Sequence, residues 1–292
     1  MIELAYAEVS WSLNAYCKFQ CAYCPMESKG GELDKSLDQY ITIIEKLQNT
    51  RYNHHSKIYW KIGGGEPLHF PHLGTLLKKM GEKPAIIQLD TSGDDTWFSL
   101  YGVLNHINIV NLTYHVWQND DIVDLILEQC QEKNVSVSIQ VPLIPGQIIQ
   151  SRERVQRFKN LGYTCNEQLL YDTSRELYHG YSMLDKNRIL GRPDNWEPES
   201  VVHDANKPNP NYIDLRVVNN NDPVYTGLPC YAGVDWLYIN PKGFVSHSQC
   251  GGRSEHFNAF DPNWQPPNDH FPCSVNQCRH DNDRKKIRIV GS

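Results

Sequence analysis

Over about the first 170 residues, short apolar runs with strand character alternate with segments whose apolar residues recur at helical spacing. An alternating apolar segment leads up to Asn14. Lys57-Ile58-Tyr59-Trp60-Lys61-Ile62, Ala85-Ile86-Ile87-Gln88-Leu89, Ile107 to Tyr114, Val135 to Val141 and Tyr163 to Leu169 supply five further strand candidates. Between them lie helical faces built on Leu37, Tyr40, Ile41, Ile44 and Leu47, with Asp34 or Ser36 as N-cap, and on Leu73, Leu76, Leu77 and Met80. Further helices are predicted near Thr96 to Leu104, from about Asp121 to Lys133, and from a cap at Ser151 through Val155, Phe158 and Leu161 to Gly162. Six strands alternating with helices imply a parallel sheet with right-handed crossover connections. The sheet is either open or curled toward a barrel, and in both cases ligands gather at the carboxyl ends of the strands.

Residues 171–228 break this pattern with Pro- and Asn-rich sequence such as Lys207-Pro208-Asn209-Pro210-Asn211, which reads as a bridging or substrate-loop segment. Residues 229–292 carry a predicted β-hairpin, Asp235 to Ile239 and Gly243 to Ser246, turning at Asn240-Pro241-Lys242. The expected organisation is therefore a core of residues 1–170, a bridge of 171–228 and a small C-terminal module of 229–292.

Seven of the nine cysteines fall into two groups at opposite ends of the chain, a distribution that suits metal sites better than disulfides. The first group is Cys17, Cys21 and Cys24, a CxxxCxxC loop directly after the first strand. Three thiolates on so short a loop can face one point, and soft sulfur ligands favour zinc, copper(I) or an iron-sulfur cluster. Three rather than four leaves a coordination position for a substrate or cofactor. A second motif, Gly64-Gly65-Glu66-Pro67, ends the second strand candidate, where glycines let the backbone approach a ligand closely. The remaining thiols, Cys130 and Cys165, continue apolar faces and read as core residues.

The cysteine loop with aromatic Tyr23, followed one helix and one strand later by Gly64-Gly65-Glu66, resembles the signature of the radical S-adenosylmethionine superfamily. The resemblance implies a partial (β/α)6 barrel and a 4Fe-4S cluster held by Cys17, Cys21 and Cys24. S-adenosylmethionine would chelate the fourth iron, and its reductive cleavage would give a 5'-deoxyadenosyl radical that abstracts hydrogen from a substrate. Gly64, Gly65 and Glu66 take on the contact to the cofactor's amino group, and Tyr23 an adenine contact. Thr91-Ser92-Gly93 resembles the Thr-Asn-Gly found after the third strand of such proteins, which places Ser92 beside the cofactor. Thr113, His115 and Gln140, near the ends of the fourth and fifth strand candidates, are candidates for its ribose or carboxylate.

The second group, Cys230, Cys250, Cys273 and Cys278, brackets the hairpin, and with Cys230-Tyr231-Ala232-Gly233 it resembles the auxiliary-cluster module called SPASM, or its shortened form, twitch. That resemblance implies one auxiliary 4Fe-4S cluster which takes an electron from the product radical or positions the substrate. Spacing alone leaves a four-cysteine zinc site open. The substrate implied is a peptide or a small molecule such as a sugar or alcohol, and the electron donor a flavodoxin or ferredoxin. Because the first strand lies so near the start of the sequence, no separate N-terminal peptide-recognition domain is expected. A net charge of -6 argues against nucleic acid, and no apolar run is long enough for a bilayer or a signal peptide, so a cytoplasmic protein is expected. The rival reading is a non-catalytic, zinc-stabilised binding protein on an α/β scaffold. The sequence names no general acid or base.

Overall fold

A computed structural model describes residues 6–24, 35–51, 55–93, 97–171, 177–195, 229–230, 233–247, 257–269 and 271–272. Strand β1 (Tyr6–Asn14) is followed by α1 (Leu37–Arg51), β2 (Lys57–Gly64) and, after a 3-10 turn at Pro67–His69, α2 (Leu73–Met80). The alternation continues through β3 (Ala85–Thr91), α3 (Trp97–Val103), β4 (Ile109–Thr113), α4 (Asp120–Glu132), β5 (Ser136–Pro142), α5 (Ile148–Asn160) and β6 (Thr164–Gln168). Strands β1 to β6 pair in sequence order and all in parallel, as a partial (β/α)6 barrel requires.

The period-two pattern of the strands decides which side faces the helices. Ala7, Val9, Trp11 and Leu13 of β1 are buried, as are Ile58, Trp60 and Ile62 of β2 and Ile87 and Leu89 of β3. All of these except Ala7 join Tyr40, Ile44 and Leu47 of α1 and Leu76, Leu77 and Met80 of α2 in one core. The intervening positions Glu8, Ser10, Ser12, Tyr59, Lys61, Gln88 and Asp90 are polar or amphipathic. A parallel barrel packed solid would need apolar residues on both faces. Here Ser10, Ser12, Lys61 and Asp90 line a cavity instead.

Two sequence expectations change. Helix α5 begins at Ile148 after Gln147, so Ser151 lies within the helix rather than capping it. Its buried hydroxyl donates to Pro142 O at 2.9 Å and ties the helix to the end of β5. Within 171–228, the irregular segment contains a helix, α6 (Met183–Ile189), opened by a capping box in which the Ser182 and Asp185 side chains bond each other's backbone N–H.

The C-terminal part adds β7 (Pro229–Cys230), β8 (Trp236–Ile239), β9 (Phe244–Ser246), β10 (Phe257–Asn258) and β11 (Phe271–Pro272). Strands β8 and β9 form the expected hairpin, with β10 antiparallel to β9. Strand β8 also pairs in parallel with β1, Glu8 opposite Trp236 through Trp11 opposite Ile239. Among the described residues, one sheet thus runs β10-β9-β8-β1-β2-β3-β4-β5-β6. No helix among them is long and apolar enough to cross a membrane.

Candidate cofactor and substrate cavity

The carboxyl ends of the strands surround a cavity of about 740 Å³. Cys17, Cys21, Cys24 and Tyr23 line one side, Gly64 and Gly65 another, and Ser92, Thr113 and His115 a third. The two motifs separated by a helix and a strand in sequence therefore face a common space. Gly65 N–H donates to Asn14 O at 2.9 Å and Glu66 N–H to Tyr16 O at 2.6 Å, which fastens the glycine run to the start of the cysteine loop. No side chain fits there. A Cβ on Gly64, whose φ is +133°, would lie 2.5 Å from Asn14 O, and one on Gly65 would collide with Tyr16 O.

Glu66 is placed differently from its glycine neighbours. It is fully buried, and its carboxylate accepts from Thr91 Oγ1 at 2.6 Å, Ser92 N–H at 2.8 Å, Ser92 Oγ at 2.5 Å and Leu68 N–H at 3.1 Å. Burial raises its pKa and these donors oppose the rise. The carboxylate thus locks the end of β3 against that of β2 and leaves the glycine backbone to line the cavity. Gln140 is half-buried opposite Thr113 in the β4/β5 ladder and is not among the cavity-lining residues.

Cys17 and Cys21 are half-buried and Cys24 is exposed. Burial pushes the Cys17 and Cys21 thiols above their ordinary value, so ionisation there calls for a nearby cation. Among the described residues no three of His, Cys, Asp or Glu converge where a single ion would sit. A cubane cluster asks for something else, because it takes each thiolate on a different iron. Three soft donors facing one cavity, beside a backbone stripped of side chains, fit a cluster with a chelating ligand on the remaining iron.

Of the second group, Cys230 is buried on β7, where it pairs with Phe271 of β11, and Cys273 follows β11 by one residue in sequence. Cys250, Cys273 and Cys278 lie outside the described residues.

Sequence reading did not single out Ser10, Ser12, Lys61, Asp90 and Tyr238, which also line the cavity. Lys61 Nζ meets Glu8 Oε1 at 3.0 Å, and Trp236 Nε1 donates to the same oxygen at 3.1 Å. Gln88 Nε2 donates to Asp90 Oδ1 at 2.6 Å, and the hydroxyls of Ser12 and Tyr238 share a bond of 3.1 Å. Burial raises the Asp90 pKa against the pull of hydrogen bonds from Gln88 and Asn111. Polar residues at every second position of strands expected to be buried on both faces were the available signal.

By sequence the chain matches no known family description and no curated protein. By structure it is similar to anSMEcpe solved with AdoMet and the Kp18Cys peptide bound. The two are 12% identical, with 88% of this chain and 78% of that chain covered and a TM-score of 0.54. His-tagged anSMEcpe with bound AdoMet gives 13% identity, 88% and 76% coverage, and a TM-score of 0.52. Streptococcus suis SuiB bound to S-adenosylmethionine is 12% identical at a TM-score of 0.43, and this chain spans 65% of its length. Over the matched residues, the partial (β/α)6 barrel with its added C-terminal strands is similar in fold to anSMEcpe.

Proposed function

We propose that this chain is a radical S-adenosylmethionine enzyme. The observation that carries the reading is the cavity on which the three-cysteine loop and the Gly64-Gly65 backbone open together. Cys17, Cys21 and Cys24 would hold a 4Fe-4S cluster, while Gly64, Gly65, Tyr23, Ser92, Thr113 and His115 would surround S-adenosylmethionine. When bound, that pair supplies a 5'-deoxyadenosyl radical able to abstract hydrogen from substrate. The chain's own part is to orient the reactants and keep water out. Ser10, Ser12, Lys61, Asp90 and Tyr238 give the substrate a polar floor, on which Lys61 and Asp90 offer a charged donor and a carboxyl acceptor. The substrate proposed is a peptide, a reading supported by the peptide bound to the similar anSMEcpe. Cys230, Cys250, Cys273 and Cys278 would hold an auxiliary cluster, and a flavodoxin or ferredoxin would deliver electrons.

Anaerobic purification tests this. About eight irons per chain are expected for two cubane clusters, with deoxyadenosine formed from S-adenosylmethionine on reduction. Replacing Cys17, Cys21 and Cys24 together by Ala should abolish that product and remove about four irons. Replacing Cys273 and Cys278 should remove a similar amount of iron and leave cleavage of S-adenosylmethionine in place. A colourless zinc protein that yields no deoxyadenosine rejects the enzyme in favour of a metal-stabilised binding protein.

A further inference from the structure

The side-chain charges around the cavity do not balance. Among the described residues that line it, Lys61 is the only cationic side chain and Asp90 the only carboxylate. Lys61 is already matched, because its Nζ meets Glu8 Oε1 at 3.0 Å, and Glu8 is not itself a lining residue. His115 adds no charge, since burial favours the neutral ring. The Glu66 carboxylate is fully buried and spent on Thr91, Ser92 and Leu68. On the reading above, the three cysteine sulfurs are taken by the cluster. Asp90 is left as a negative charge that no cation among the described residues pairs with.

The carboxylate is also held in place. Tyr59 O–H donates to Gln88 Oε1, which turns the amide so that Gln88 Nε2 donates to Asp90 Oδ1 at 2.6 Å. Asn111 stands opposite Asp90 in the β3/β4 ladder. A carboxylate has about four lone-pair sites, so these amides leave room for another donor. On one flank the neighbour is Gly63, where even a Cβ would lie 3.7 Å from Asp90 Oδ2, so the missing side chain keeps that approach clear. Lys61 stands opposite Gln88, which puts Asp90 one step nearer the strand ends on which Gly64, Gly65 and the cysteine loop open. The hydroxyls of Ser10, Ser12 and Tyr238 line the same cavity and can accept the remaining protons of a bound cation.

We propose that Asp90 is a specificity-determining residue that selects a peptide substrate bearing a cationic nitrogen group, the ammonium of lysine or the guanidinium of arginine. The assignment deepens the enzyme reading given above and rests on it. A carboxylate drawn partly out of water without a partner is costly, and a substrate that brings the missing charge recovers that cost on binding. A neutral side chain of the same length recovers none of it.

The experiment is anaerobic calorimetry on the reconstituted chain with S-adenosylmethionine present, titrated with blocked alanine pentapeptides. Their central residue is lysine, arginine, norleucine or glutamate. At least one of the two cationic peptides should bind about tenfold tighter than the norleucine peptide, the scale of a hydrogen bond between charged groups. Asp90→Asn keeps the shape and the bond from Gln88, and should remove most of that preference. Lys61→Met should act in the opposite sense, because it frees the Glu8 carboxylate and tightens the cationic peptide severalfold. Opposite signs at neighbouring positions separate a charge effect from general damage, which would weaken binding in both.

No preference for either cation over norleucine overturns the assignment. So does a preference for glutamate that Lys61→Met abolishes, which would make Lys61 the determinant. If Asp90→Asn weakens S-adenosylmethionine and leaves the cationic preference intact, the carboxylate serves the cofactor and the assignment falls. A chain that takes up no iron and forms no deoxyadenosine overturns the enzyme reading and the substrate assignment together, whereas failed titrations on an iron-loaded, deoxyadenosine-forming chain overturn the assignment alone.

Discussion

His115 is the residue whose surroundings make the sharpest statement about pH. Phe19, Trp117 and the neutral hydroxyl of Tyr23 face it, and burial pushes its pKa from 6.5 down to about 4. The sign follows from which form the fold prefers. The depressed value means that the folded chain holds the neutral ring, so this contribution is complete above pH 6.5 and is lost as pH falls toward 4. The full displacement corresponds to roughly 3 kcal/mol. The metal-free protein should therefore lose stability to urea between pH 6.5 and 4, and His115→Phe should flatten that part of the profile. Equal slopes for the two proteins would mean that another group carries the dependence. Glu66 shows at the same scale what a motif conceals. Its place in Gly64-Gly65-Glu66 was legible, whereas its bonds to Thr91 and Ser92 depend on how β2 and β3 meet, which no local pattern encodes.

Among the contacts that hold the elements to the C-terminal part is a buried charge, Arg51. Arg51 ends α1 and is fully buried, donating through Nη1 to Pro267 O at 2.5 Å and through Nη2 to Gly233 O. Desolvation pulls its pKa down to about 10, and the nearby Asp235 carboxylate opposes that pull. Asp235 in turn meets His55 Nε2 at 3.1 Å, and its carbonyl accepts from Glu8 N–H of β1 at 2.7 Å. Removing one member of such a group strands the other charge out of water. Asp235→Ala is expected to cost about 3–5 kcal/mol, read from denaturant midpoints, with protease cleavage appearing first in the C-terminal strands. A cost below about 1 kcal/mol, typical of an exposed pair, would show that Arg51 does not depend on Asp235. The individual elements were readable because the helix-facing strand positions and the inner helix faces are apolar at fixed periods. Helix α6 was missed because Met183–Ile189 is short and its apolar residues Met183 and Leu184 are exposed, leaving the capping box as its main signal.

At the scale of the molecule, the sequence shows where the hairpin is and nothing of where it docks. Trp236 to Ile239 pair with Glu8 to Trp11 through backbone bonds that any residue could make, across more than two hundred residues of chain. The consequence is an edge. Without β8, the outer side of β1 would present unpaired N–H and C=O groups beside a polar lumen, the arrangement that invites another chain to add on. Val9 and Trp11 would keep their helices while Glu8 lost the indole of Trp236 and Ser12 the hydroxyl of Tyr238. A chain ending at residue 228 is therefore expected to form oligomers or aggregate, and to unfold well below the 292-residue chain, as judged by light scattering coupled to size exclusion and by thermal melts. If it stayed monomeric with an unchanged melting temperature, the hairpin would be an appendage. The cavity floor it shares through Tyr238 would then have to be stable on β1, β2 and β3 alone.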